Sequence, residues 1–188
     1  MAPPRIANIN LPKNIDPQKV QLVLICEALP ENPADYFYSS QDSLYVKNII
    51  EAFKNAGIQV ENINQIIQKG VYLTVAVKEV RKGLVVPTDM IEKYSYSLEN
   101  ELELFPNTVA VLLMGDTAIK ALNFISRRRI KAKVIPSGPT YKIRTGKFYL
   151  GSVRVFPSYL PTGKNFLIEK AKRKMVSEDI KNAFRLIK

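Results

Sequence analysis

Glu27 is the residue of this chain best placed to do chemistry. It ends the run V-Q-L-V-L-I-C-E-A-L-P (Val20 to Pro30), an apolar stretch that stops in an acid and is broken by a proline. A buried parallel strand delivers a carboxylate to the rim of a sheet in this way. Ligands of open α/β sheets sit outside the carboxyl ends of the strands, so an acid there is a functional candidate, with a strand-end capping acid as the alternative. The remaining chemistry is narrow. The sequence has no histidine, which excludes imidazole bases and imidazole metal sites. Its single cysteine, Cys26, excludes an internal disulfide and cannot alone hold a zinc or iron–sulfur centre.

The elements that must position Glu27 follow from length and patterning. At 188 residues and 46% hydrophobic content the chain supports one sizeable core. We expect a single domain over residues 20–188, preceded by a proline-containing N-terminal arm over 1–19. No apolar run approaches the roughly 20 residues that span a bilayer, and M-A-P-P-R lacks signal-peptide character. The expectation is a soluble, intracellular (cytoplasmic) monomer with no cofactor and no membrane partner.

Charge is strongly polarised. Residues 1–116 hold 10 Lys+Arg and 14 Asp+Glu, whereas residues 117–188 hold 18 and 3, giving −4 and +15 and together the net +11. One side of such a molecule suits a polyanion, because cations that neutralise phosphates release condensed counterions. Nucleic acid ranks first, ahead of a merely solvated basic surface and of an anionic membrane surface.

Along the chain, Glu31 to Gln41 is a polar loop carrying Tyr36, Phe37 and Tyr38. Ser43 caps a helix to about Ala56, with Leu44, Ile49, Ile50 and Phe53 inward and Gly57 as its stop. Gly70 to Val80 is a second buried strand, Arg81 to Val86 a basic loop, and Pro87–Thr88 opens a helix to about Phe105. Thr108 to Gly115 is the cleanest strand; Asp116 or Thr117 caps the next helix, which runs into Arg127, Arg128 and Arg129, cations that also suit a helix C-terminus. Tyr141 to Phe156 reads as a hairpin or two paired strands around Thr145 and Gly146, and Ser158 to Asn165 as a rigid turn. The final helix, about Ile168 to Ile187, starts with Lys170, Lys172, Arg173 and Lys174, which oppose its dipole and so argue for phosphate contact unless Glu169 compensates. Alternating strand and helix predicts an α/β fold: a three-layer α/β/α sandwich around a mainly parallel, roughly four-stranded sheet.

Four stretches, in this order, resemble the motifs of the uracil-DNA glycosylase superfamily, in particular its thermophile-type branch. I-C-E-A-L-P (25 to 30) resembles I-G-E-A-P-G, and L-T-V-A-V-K (73 to 78) resembles I-T-N-x-V-K. V-L-L-M-G-D-T-A (111 to 118) is similar to L-L-G-x-T-A, and V-F-P-S-Y-L-P-T (155 to 162) to P-T-Y-H-P-S. The resemblance covers about Val20 to Lys174, and the ordered set is more specific than any one motif. It implies a nucleotide flipped out of DNA into a pocket, where water replaces the base at the sugar carbon.

On that resemblance Glu27 positions or activates the water, and Phe37 stacks the base, with Tyr36 or Tyr38 as register alternatives. Cys26, Ala28, Val75, Ser158 and Leu160 fall around the base pocket. Gly163 to Leu167 falls on the minor-groove loop, making Phe166 and Leu167 wedge candidates, with packing under the last helix as their alternative. Arg127, Arg128, Arg129, Lys164, Asn165, Lys172, Arg173 and Lys174 are the candidate DNA contacts. The chain also departs from the family. The base-reading asparagine is Val75, the histidine that steadies the departing base is Leu160, and the residue after Lys78 is Glu79 rather than an iron–sulfur cysteine. The expected function is a divergent DNA glycosylase acting on a damaged or deaminated base, its departure assisted by backbone donors, Ser158, Thr162 or Lys164. The alternative is a DNA-binding module on a glycosylase scaffold that has lost the chemistry.

Overall fold

The computed structural model describes residues 11–161, 166 and 168–188. Its centre is a five-stranded sheet in the order β2-β1-β3-β5-β4, with β1 at Leu22–Leu29, β2 at Val71–Val80, β3 at Ala110–Met114, β4 at Phe148–Leu150 and β5 at Val153–Ser158. All neighbours pair in parallel except β4 with β5. The helices are α1 (Leu44–Asn55), α2 (Ile63–Gln68), α3 (Thr88–Leu102), α4 (Asp116–Ile130), α5 (Thr140–Ile143) and α6 (Lys170–Phe184). Helices cover both faces of the sheet, with α3 and α4 on one and α1 and α6 on the other. This is the expected α/β sandwich with one strand more than expected.

The central strands read as unbroken apolar runs because both their faces are covered. Residues Leu22 to Cys26 and Leu112 to Met114 are wholly buried. Ser43 caps α1 as expected, its Oγ accepting the Val46 N–H at 3.1 Å, but Leu44 lies exposed and the inward side is Val46, Ile49, Ala52 and Phe53. The hairpin turns at Gly151–Ser152, not at Thr145–Gly146, because Pro139 starts the helical turn α5 across the first of the two expected extended segments. Leu11 packs on the core and Ile15 is buried, so the part of the arm that is described lies against the sheet's helices and strands. Among the described residues no helix is long and apolar enough to cross a membrane.

One buried ionic cluster ties the carboxyl end of β5 to α5 and α6. Ser158 Oγ donates to Asp179 Oδ2 at 2.6 Å, and Arg144 reaches both Asp179 oxygens (2.8 and 3.1 Å), Glu178 (3.0 Å) and the Met175 carbonyl (2.9 Å). Burial raises the Asp179 carboxyl above its usual range, with Arg144 and Ser158 pulling it back.

Candidate active site

Glu27 lies in β1, two residues beyond the last residue paired with β3 and abreast of the corner where β3 turns into α4. That corner is Gly115, at φ +104°, a left-handed conformation that disfavours any side chain. A methyl group there would lie 2.5 Å from Glu27 Oε1, so glycine is what lets the carboxylate reach the helix start. Neither Asp116 nor Thr117 caps α4: its N-cap position is Gly115, which has no side chain to offer, and Asp116 instead pairs with Lys120 at 2.6 Å. Glu27 supplies the missing acceptor from the neighbouring strand, taking the Thr117 N–H at 3.4 Å. On its other side Arg81 Nη1 stands 3.6 Å from Glu27 Oε2. Burial raises the Glu27 carboxyl above the usual glutamate value; the Thr117 N–H and Arg81 limit the rise. We expect Gly115→Ala to destabilise the fold by about 1–3 kcal/mol in urea unfolding, through backbone strain and displacement of Glu27.

Glu27 opens onto a cavity of about 470 Å³, lined also by Ala28, Leu29, Pro30, Tyr45, Arg81 and Leu160. Of the residues expected around the base, only Ala28 and Leu160 therefore share its walls. Cys26 points the other way, wholly buried, with the Tyr45 hydroxyl on its sulfur and its thiol pushed up to about 12 by burial. Val75 is buried beside it as its cross-strand partner. Phe37 is 0% exposed, packed among Tyr36, Tyr38 and Tyr45, and has no free ring face. The Tyr38 hydroxyl bonds the edge strand, donating to the Leu73 carbonyl (2.7 Å) and accepting its N–H (3.0 Å). Ser158 is committed to Asp179. The aromatic at the cavity is Tyr45, which reading from the first strand alone missed. Its signal was the Ser43 cap, which puts the first turn of α1 at the sheet's carboxyl edge. Arg81, in a basic loop, stands at the same edge because it directly follows the carboxyl end of β2. Among the described residues no three His, Cys, Asp or Glu side chains converge to hold a metal ion.

The family model described as the uracil DNA glycosylase superfamily matches residues 12–183. The chain belongs to this superfamily. No curated protein matches it.

In this member of the uracil DNA glycosylase superfamily the two basic clusters lie at different ends of the sheet. A helix after a parallel strand runs back along it, so Arg127–Arg129 stand about 16 Å along α4 from Thr117 and the Glu27 corner. Arg128 and Arg129 are also engaged there: Arg128 pairs with Glu99 (2.7 Å) and lies over the Tyr96 ring, and Arg129 pairs with Glu99 (2.6 Å) and Glu103 (2.7 Å). Burial works against the Glu99 charge, but the two guanidiniums win and lower its pKa. These two arginines bind α4 to the acidic side of α3, Arg128 half-buried and Arg129 still exposed; Arg127 is exposed, over the Phe124 ring. The start of α6 is on the Glu27 side, since Lys172 lies over the ring of Tyr159, next to Leu160. Glu169 compensates part of the charge there through Lys172 (2.5 Å), while Lys170, Arg173, Lys174 and Lys181 line a groove of about 390 Å³ against Asn55. Phe166 is 4% exposed and packs in the core. Thr162, Gly163, Lys164, Asn165 and Leu167 lie outside the described residues.

Proposed function

We propose that this protein is a DNA glycosylase that binds duplex or single-stranded DNA and hydrolyses the N-glycosidic bond of a flipped damaged or deaminated base. Glu27 itself carries the reading: a partly desolvated carboxylate at a cavity mouth, oriented by a helix N-terminus and a guanidinium, is equipped to hold and deprotonate water. In the step we propose, the water oxygen bonds to the sugar C1′ as the C1′–N bond breaks. The bonding pair leaves with the base nitrogen, and the water proton passes to Glu27. Where the family has a histidine, Leu160 offers no hydrogen, so Arg81 takes over the anionic charge developing on the base. The flipped base lies against Tyr45 and the apolar wall of Leu29, Pro30 and Leu160. Lys170, Lys172 and Lys174 at the start of α6 hold the phosphates on the same side.

The test is incubation with oligonucleotides carrying uracil, hypoxanthine, xanthine and oxidised bases, followed by alkaline cleavage at abasic sites. We expect strand breaks on at least one substrate, and a rate lower by about 10²–10³ in Arg81→Met, the usual cost of removing one preorganised donor. No breaks on any substrate, together with DNA binding that weakens with salt, would instead mark a DNA-binding module.

A further inference from the structure

We propose that Leu84 and Val85 form a wedge that enters the base stack of duplex DNA beside the flipped nucleotide. The inference rests on the glycosylase reading above. Leu84 is 88% exposed, more than any other large hydrophobic side chain among the described residues, and Val85 next to it is 74% exposed. They crown the loop between β2 and α3, and Gly83 and Leu84 form part of the rim of the Glu27 cavity. The loop is held at both feet. Arg81 Nε donates to the Gly83 carbonyl at 2.6 Å while the same guanidinium faces Glu27, and Val86 is buried just before Pro87 and the start of α3. Two aliphatic side chains are thus presented to solvent on a fixed support, directly over the site.

Charge selects the occupant. Lys82 is exposed beside the tip, so the apolar tip is flanked by a cation that suits a phosphate. Extruding a nucleotide leaves a gap in the stack, and proteins that unstack duplexes fill such gaps with aliphatic or aromatic side chains. Phe166, the described residue expected to do this, is buried.

The test compares wild type with Leu84→Ala/Val85→Ala on one lesion in duplex and in single-stranded DNA. In parallel, the fluorescence of a 2-aminopurine placed next to the lesion reads unstacking in the bound duplex. Because a single strand has no stack to open, we expect the ratio of duplex to single-strand rates to fall about 10–100-fold, matching a few kcal/mol of unstacking. We expect the fluorescence rise to be lost as well, and Leu84→Met/Val85→Ile to restore both. Equal losses on both substrates, or an unchanged ratio and fluorescence, overturn the wedge; the unchanged case leaves the tip to a protein partner. If wild type excises nothing yet binds duplex, the glycosylase reading has failed by itself. The fluorescence rise and its loss in the double variant then still support the wedge, and their absence overturns it.

Discussion

On the proposed function, Glu27→Gln is expected to lower base release by about 10²–10⁴-fold, the usual contribution of a positioned general base, while leaving salt-dependent DNA binding in place. Glutamine keeps the shape and can still accept the Thr117 N–H, so the loss isolates the carboxylate's charge and basicity. Wild-type activity should rise with pH as Glu27 sheds its proton, with an inflection above the ordinary glutamate value because burial opposes ionisation. Stability moves the other way. A carboxyl with a raised pKa in the folded state contributes stability that is fully present below its unfolded pKa and is lost as pH rises through the folded one. Glutamine never ionises, so Glu27→Gln should melt at a higher temperature than wild type at pH 8, with the gap closing in acid. An unchanged melting temperature at pH 8, or full excision by the variant, would remove Glu27 from the role assigned to it.

Arg144→Met is expected to cost about 3–5 kcal/mol in urea unfolding at neutral pH. Arg144 is 10% exposed and Asp179 3%, so removing the guanidinium strands a carboxylate away from water with only the Ser158 hydroxyl to satisfy it. Methionine retains most of the volume, which confines the effect to charge. Burial already raises the Asp179 carboxyl, and losing Arg144 raises it further, so the penalty shrinks as pH falls and Asp179 takes up a proton. Adding Asp179→Asn to Arg144→Met should recover much of the loss, because a buried pair removed together costs far less than one partner removed alone. A double variant no more stable than the single would show that the cluster acts through shape rather than charge.

The central strands were legible because burial on both faces leaves little choice but leucine, isoleucine and valine. The cap at Ser43 was legible because N-capping is local chemistry. What the sequence withheld depends on contacts between distant segments. Nothing local to Arg128 and Arg129 announces Glu99 and Glu103, some 26 to 30 residues earlier, so the ion pairs that tie α3 to α4 are not visible in the basic run. Phe37, in a polar loop between two tyrosines, carries no local sign that α1 closes over it. The helix α2 is six residues long with polar residues between its isoleucines, too short for a clear period. The Glu27 corner was half visible: the acid and Gly115 stand out, but that Glu27 serves as acceptor for another strand's helix appears only once β1 and β3 lie side by side.

The Tyr38 hydroxyl has a consequence for colloidal behaviour. Strand β2 ends the sheet on one side, and a free sheet edge is a template on which a second chain can add a strand. By engaging both the N–H and the carbonyl of Leu73, Tyr38 blocks that template near the start of β2. The opposite edge, β4, is only three residues long. With both borders blunted in this way, strand addition between copies is disfavoured at either edge of the sheet.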